Sequence, residues 1–174
     1  ASILFKFLKN FTSSIILKIP NRLVDGYGPN IKLMREMLDN KVDLLLTLDC
    51  GTTSNEIIDN KEFKNIDVIV IDHHLSEINL PNVLAIINPN RVDDTSDYKQ
   101  LAAVGVTFLF LMYLRKKLRE LNKFSKIKEP NLLSYLDLVA LGTVCDVVDL
   151  KLYNRLFVKK GLELIHKRYH RGIA

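Results

Sequence analysis

The sequence predicts an α/β fold, in which a parallel sheet with flanking helices is followed by a helical segment. The first observation is a set of short, almost wholly apolar runs typical of strands, at 42–48, 67–71 and 83–87. The second is that apolar residues have helical spacing before the run at 42–48 and between it and the run at 67–71. Helices that connect strands in this way predict right-handed crossovers and therefore parallel strands. The third is that from residue 100 onward the apolar residues have only helical spacing, over about 101–121, 131–142 and 153–167.

The first part of the chain supplies the remaining elements. Apolar spacing predicts a helix near 2–10, a short strand over Ser14 to Lys18 and a helix near 30–39. The run from Val42 to Leu48 is nearly continuous, as in a strand buried on both faces of a parallel sheet. Thr53-Ser54-Asn55-Glu56 is a capping-box pattern and predicts that the next helix begins there.

Length and composition fit one globular domain. The 174 residues carry a net charge of +5, which favours a polyanionic partner. The longest apolar run, 101–114, is shorter than the roughly 20 residues that cross a bilayer, so no membrane association is expected. The two cysteines, Cys50 and Cys145, are far apart and suit a reducing compartment. We therefore expect a cytoplasmic protein.

Ionisable residues follow the predicted strands where ligands bind in open parallel sheets, beyond the carboxyl ends. Asp49 follows one strand, and Asp72, His73 and His74 follow the next. A further acidic residue, Asp146, follows the apolar run 138–144. Carboxylates that converge with imidazole suit a divalent cation such as Mn²⁺ or Mg²⁺.

Taken one at a time, these residues also have structural explanations. Asp49 and Asp72 could cap turns, the two histidines could be ordinary half-buried residues, and Asp146 could cap a kinked helix. Their joint position at strand ends favours a metal site over these alternatives.

Several motifs, in order along nearly the whole chain, resemble the RecJ-type exonucleases of the DHH phosphoesterase superfamily. The tripeptide Asp72-His73-His74 alone is weak evidence, because it is short. The more specific segments are Ile19-Pro20-Asn21-Arg22 with Gly26-Tyr27-Gly28-Pro29-Asn30, Leu48-Asp49-Cys50-Gly51-Thr52, Asn88-Pro89-Asn90, 104–108 and 136–148.

The resemblance implies a two-metal phosphoesterase that degrades single-stranded DNA from the 5′ end, in DNA repair and recombination. Asp49 resembles the carboxylate that bridges two metals, and His73 and Asp146 resemble ligands of one of them. Asp72 resembles a ligand or a residue that orients one, and His74 resembles the residue that meets the phosphate.

Two arginines are further candidates, because they lie in loops expected near the same sheet edge. Arg22 and Arg91 are predicted phosphate contacts, although exposed arginines are often simply solvated. Single-stranded DNA is the expected partner, and DNA-repair proteins are a candidate class of partner.

The sequence also departs from the family pattern. An earlier strand with an aspartate-rich motif and a later nucleic-acid-binding domain are not found in it, and Ala1 opens directly into an apolar helical face. We therefore expect residues 1–174 to be a partial DHH phosphoesterase domain, with an α/β part over 1–100 and a mostly helical part over 101–174. One incomplete metal site, and an inactive or weakly active chain, are the expected consequences.

Two other functions stay open at this point. Another member of the superfamily could act on short oligonucleotides, cyclic dinucleotides or pyrophosphate. A non-catalytic remnant or split subunit could instead bind DNA or a partner chain.

Overall fold

The structure is a computed structural model, and it describes every residue of the chain except 169, 171 and 174. The chain divides into two compact units, a sheet unit over Lys18–Lys99 and a helical unit over Ala1–Leu17 and Gln100–Ala174. The sheet unit contains α2 (Ile31–Asp39), β1 (Leu44–Leu48), α3 (Asn55–Ile58), a 3-10 helix (Lys61–Phe63), β2 (Asp67–Ile71) and β3 (Ala85–Ile87). The helical unit contains α1 (Ser2–Leu8), α4 (Ala103–Glu120), a 3-10 helix (Leu132–Tyr135), α5 (Leu136–Cys145) and α6 (Leu152–Ile165).

The three strands form one parallel sheet in the order β1-β2-β3. Leu48 is level with Ile71 on the neighbouring strand, and Ile71 is level with Ile87. The carboxyl ends of all three strands therefore meet at one edge, and the residues that follow them are brought together there.

The core of the sheet unit forms around the central strand, β2. Val68 and Val70 are buried and contact Met37 of α2, Ile58 of α3 and Ile66. Burial of such a side chain stabilises the fold by about 1.5–3 kcal/mol, so this cluster fixes the strand whose end carries Asp72.

The helical unit is built on the contact of α5 with α6, and α1 and α4 also pack in it. Asn154 of α6 is fully buried, and its amide donates to the carbonyls of Gln100 at 2.6 Å and Asp149 at 2.9 Å. None of the helices in the described part of the chain has the length and apolar content that crossing a bilayer requires.

The predicted parallel sheet, its flanking helices and the helical segment that follows are confirmed. The strand at Asp67–Ile71 has the predicted bounds, and the helices near 2–10, 30–39, 101–121, 131–142 and 153–167 are present with shorter or shifted ends.

Three predictions about individual elements are wrong. Ser14 to Lys18 is irregular and not a strand, and no strand among the described residues pairs with it. The run beginning at Val42 is not buried on both faces, since β1 is an edge strand of this sheet and 44% of Leu44 is exposed. The capping box is not formed either: α3 begins at Asn55, and its cap residue Ser54 makes no side-chain hydrogen bond to the helix.

Candidate metal centre

The backbone places two acidic residues side by side at the carboxyl edge of the sheet. The amide of Asp49 donates to the carbonyl of Ile71 at 2.9 Å, and the amide of Asp72 donates to the carbonyl of Ile87 at 3.1 Å. The parallel ladder thus continues one residue past each strand, which fixes where both side chains start.

A strained turn then sets the direction of the Asp49 side chain. Asp49 has φ of 65° and Gly51 has φ of 110°, and both values lie in a region that L side chains rarely adopt. A Cβ on Gly51 would lie 2.7 Å from Oγ1 of Thr47, so only glycine fits there without movement. The turn leaves the Asp49 side chain 51% exposed at the edge of the sheet.

Asp49, His73 and His74 each offer one ligand atom, and these three atoms lie within 4.8 Å of one another. Oδ1 of Asp49 lies 3.3 Å from Nε2 of His73, and the rings of His73 and His74 stand 4.6 Å apart between centroids. Among the described residues, none donates a hydrogen bond to Oδ1 of Asp49, although that atom is shielded from solvent. One carboxylate oxygen and two imidazole nitrogens are a donor set that fits a divalent transition metal such as Mn²⁺.

Asp72 is buried, with 1% of its surface exposed, and its carboxylate is hydrogen-bonded to protein groups. Nδ1 of His74 lies 2.7 Å from Oδ1, the His73 amide donates to Oδ1 at 2.8 Å, and the Thr52 amide donates to Oδ2 at 3.1 Å. Burial raises the pKa of the Asp72 carboxyl, but the hydrogen bonds from His74 and Thr52 outweigh it, so the pKa lies below its ordinary value. Asp72 is therefore an anion that orients the ring of His74, and its predicted role as a metal ligand stays a prediction.

Tyr27 is a further residue of this site that sequence analysis missed. Its hydroxyl donates to the backbone carbonyl of Asp49 and lies 3.3 Å from Nε2 of His74. Burial, and then the nearby Asp49 carboxylate, raise the pKa of the Tyr27 hydroxyl far above its ordinary value, so the hydroxyl keeps its proton. The signal available in the sequence was an aromatic residue between two glycines, Gly26 and Gly28, because glycines are typical of a turn; both have positive φ in the structure.

The thiol of Cys50 lies in the same turn but is not a good ligand. Burial, with Asp72 and Asp49 nearby, raises the pKa of this thiol to about 11. The thiol is therefore protonated at neutral pH, and metals bind the thiolate form.

The two predicted phosphate-binding arginines have different surroundings. The guanidinium of Arg22 lies over the ring of Tyr27, 4.4 Å from its centroid, and Arg22 is exposed. The guanidinium of Arg91 is held by the carboxylate of Asp93, at 2.9 Å and 2.6 Å, and also donates to the carbonyl of Ile86 at 3.0 Å. Arg22 thus borders the candidate site through Tyr27, whereas Arg91 is already paired.

Asp146 lies in the helical unit, where it is exposed and directly follows the last residue of α5. The alternative that it caps the start of a helix is wrong for this reason. Its predicted role as a metal ligand stays a prediction.

Comparisons with known proteins give a consistent result. The family model described as DHH family, N-terminal domain, matches residues 1–143. Single-stranded-DNA-specific exonuclease RecJ of Dickeya dadantii is 43% identical over 149 residues, which are 84% of this chain and 26% of the relative. The protein of the same name from Haemophilus influenzae is 40% identical over 159 residues, which are 91% of this chain and 28% of the relative. The chain therefore spans about a quarter of the length of these curated relatives.

Solved structures also match the fold over almost the whole chain. A crystal structure of exonuclease RecJ bound to manganese has a TM-score of 0.82 and 32% identity, and the match covers 99% of this chain and 41% of that one. RecJ from Thermus thermophilus in complex with Mn²⁺ has a TM-score of 0.74 and 31% identity, and the match covers 99% of this chain and 23% of that one.

Proposed function

This chain belongs to the DHH family, and from that premise we propose that it carries a divalent-metal centre for phosphodiester hydrolysis in a RecJ-like, single-stranded-DNA-specific exonuclease. The observation that carries the proposal is the convergence of Asp49, His73 and His74 at the carboxyl edge of the sheet. Relatives named RecJ support the substrate, and their manganese-bound structures support Mn²⁺ as the ion.

In this proposal, Asp49 and His73 hold metal through Oδ1 and Nε2. Bound divalent ions would supply an activated water and stabilise the leaving oxygen in an in-line displacement. For Asp146 the proposed role as a ligand rests on the resemblance alone, and so does a bridging role for Asp49. Mg²⁺ offers the same chemistry and is proposed as an alternative ion.

His74 is proposed to meet the phosphate. The ionised carboxylate of Asp72 accepts a hydrogen bond from Nδ1 of His74, which fixes the proton on that nitrogen and turns Nε2 toward the cluster. The hydroxyl of Tyr27 stands 3.3 Å from Nε2 and donates its one proton to the carbonyl of Asp49, so it lies beside Nε2 but does not donate a hydrogen bond to it. A carboxylate that fixes the tautomer of a site histidine is a common arrangement.

Positive charge at the border of the site suits a phosphodiester. The exposed guanidinium of Arg22 is held over the ring of Tyr27 and has five N–H donors, which match phosphate oxygens. We propose that Arg22 contacts the DNA backbone near the scissile phosphate. The same role for Arg91 requires that its guanidinium leave Asp93 or share its donors with the phosphate.

The substitution Asp49→Asn tests the metal centre. It removes the negative charge and leaves a side chain of the same shape, so we expect Mn²⁺ affinity measured by calorimetry to fall by 10-fold or more, roughly the loss typical at metal sites. Asp67→Asn is the matched control, because Asp67 is an exposed aspartate at the opposite end of β2. Equal Mn²⁺ affinity in the two variants would remove Asp49 from the site.

The substrate class is tested separately, with Mn²⁺ present. End-labelled single-stranded DNA, the matching duplex, short oligonucleotides, a cyclic dinucleotide and pyrophosphate are offered to the protein in parallel. Because the chain is expected to be inactive or weakly active, the expected result is at most weak cleavage, which prefers single-stranded DNA and is lost in Asp49→Asn. Preference for a cyclic dinucleotide or pyrophosphate would instead assign the site to another branch of the superfamily.

A further inference from the structure

Two asparagines after β3 reach across to the main chain of the candidate site. Nδ2 of Asn90 donates to the carbonyl of His73 at 2.6 Å, and Nδ2 of Asn88 donates to the carbonyl of His74 at 2.9 Å. Each asparagine therefore contacts the backbone of one of the two histidines, and we call this pair the asparagine bracket. Nothing in the proposed chemistry uses the bracket directly.

The histidines need such support, because residues 72–84 between β2 and β3 form neither helix nor strand. Hydrogen bonds from side chains decide where a loop of this kind lies. The bracket holds the two carbonyls from the residues directly after β3, and the position of β3 is fixed by its pairing with β2.

Asn88 also connects all three strand-end loops. It is 3% exposed, and its Nδ2 donates to Oγ1 of Thr52, in the loop after β1, at 3.0 Å. Its Oδ1 accepts from the amide of Asn90 at 2.8 Å, and the amide of Thr52 donates to Asp72. A displacement of Asn88 would therefore move the loops that carry Asp49, Asp72 and both histidines.

Both amide groups of the bracket use their full donor capacity. The Nδ2 of Asn90 donates to His73 and, at 3.1 Å, to the carbonyl of Lys99, and the Nδ2 of Asn88 donates to His74 and Thr52. A primary amide has two donor hydrogens, so no other side chain of this size satisfies these acceptors.

From this geometry we propose that Asn88 and Asn90 are positioning residues, which fix His73 and His74 at the separation that metal and phosphate require. The inference rests on the proposed function, because it assigns the asparagines a role in the metal centre. A metal ligand that is displaced by a fraction of its bond length binds less tightly, and loss of a supporting hydrogen bond around a metal site typically reduces metal affinity about 10- to 100-fold.

The test compares Asn90→Ala and Asn88→Ala with the unsubstituted chain, by calorimetric titration with Mn²⁺ and by urea unfolding. We expect the Mn²⁺ dissociation constant to rise about 10-fold or more in each variant. Asn60→Ala is the control, because it likewise removes an asparagine that makes a hydrogen bond, here accepted from the amide of Glu62, but Asn60 precedes β2, at the opposite end of the strand. Its Mn²⁺ affinity should be unchanged.

The comparison separates positioning from stability. Asn90→Leu and Asn88→Leu keep the branching and the number of heavy atoms of the side chain and remove its donors, so they replace the alanine variants if those are unfolded at the assay temperature. Weaker Mn²⁺ binding by a folded variant supports the proposal. Unchanged Mn²⁺ affinity in a bracket variant overturns it, whether or not the urea midpoint falls.

His73→Ala is measured in the same series, because it separates failure of the proposed metal centre from failure of the proposed positioning role of the asparagines. If His73→Ala binds Mn²⁺ as tightly as the unsubstituted chain, the proposed metal centre itself is wrong. If His73→Ala loses affinity and the bracket variants keep it, the metal centre stands and only the positioning role is refuted.

Discussion

The substitution Gly161→Ala should destabilise the helical unit more than any ordinary glycine-to-alanine change in a helix. Gly161 lies in α6 at the point where this helix crosses α5. A Cβ built on it would lie 2.3 Å from Cβ of Ala140 and 2.3 Å from the backbone oxygen of Leu136. Both distances are more than about 1 Å below the separation of roughly 3.5 Å at which non-bonded carbons pack.

The expected magnitude follows from two opposing contributions. Alanine is a better helix former than glycine by about 1 kcal/mol, which stabilises the variant. Overpacking of a close contact costs about 1–3 kcal/mol or more, and here the upper end applies because the backbone oxygen of Leu136 cannot move without its helix. We therefore expect a net loss of about 2 kcal/mol or more in the free energy of unfolding.

Urea unfolding followed by circular dichroism measures this loss. Gly105→Ala is the matched control, because Gly105 is also helical and the atom nearest to its added Cβ would be the side-chain end of Leu101, Cδ2, at 3.3 Å, with the next atoms at 3.5 Å and 3.6 Å in ordinary contact. That variant should be neutral or more stable by up to about 1 kcal/mol. Equal stability of the two variants would refute the close crossing of α5 and α6.

Three further outcomes are expected. Gly51→Ala places a Cβ 2.7 Å from Oγ1 of Thr47 at a φ of 110°, so the free energy of unfolding in urea should fall by about 2 kcal/mol or more, and calorimetry should show weaker affinity for Mn²⁺. A stable variant with full affinity would contradict the turn geometry. Asn154→Ala removes the donors to the carbonyls of Gln100 and Asp149, and the free energy of unfolding should fall by about 2–3 kcal/mol, whereas a loss below about 0.5 kcal/mol would show that water replaces the amide. Mn²⁺ at 100 times its dissociation constant should stabilise the chain by about 2.7 kcal/mol, reversibly on chelation, and no shift in the urea midpoint would argue against binding to the folded state.

The sheet and the closeness of Asp49 to His73 followed from local sequence. The apolar run Asp67–Ile71 ends at the predicted residue, since a central strand of a parallel sheet is apolar throughout and the polar residues after it mark its end. Parallel strands bring their carboxyl ends to one edge, and this is why Asp49 and His73 could be expected together before their distance was measured. The resemblance to the DHH family added the identity of the chemistry, which periodicity does not contain.

Other features depend on contacts between loops, and local sequence does not determine them. The hydroxyl of Tyr27 reaches a backbone carbonyl 22 residues away, and the bracket residue Asn88 reaches one 14 residues away. The capping box at Thr53 failed for a related reason: cap propensity is a weak preference, and the chain that leaves the strained turn at Gly51 enters α3 only a few residues later. Sequence patterns locate elements well, but they do not fix which side chain holds which loop.

The conformation of Asp49 itself conflicts with local preference, and the conflict has a physical meaning. A non-glycine residue with positive φ is uncommon, although aspartate tolerates it better than most, and a shielded carboxylate oxygen with no described hydrogen-bond donor is also unfavourable. Asp49 has both features, and its carboxylate lies within 4.8 Å of one ring nitrogen of His73 and one of His74. A folded chain keeps such strain only where the surrounding structure imposes it. Here two features impose it: the hydrogen bond from the Asp49 amide to the carbonyl of Ile71, and the lack of a side chain at Gly51. Together they hold the carboxylate where a cation would satisfy it.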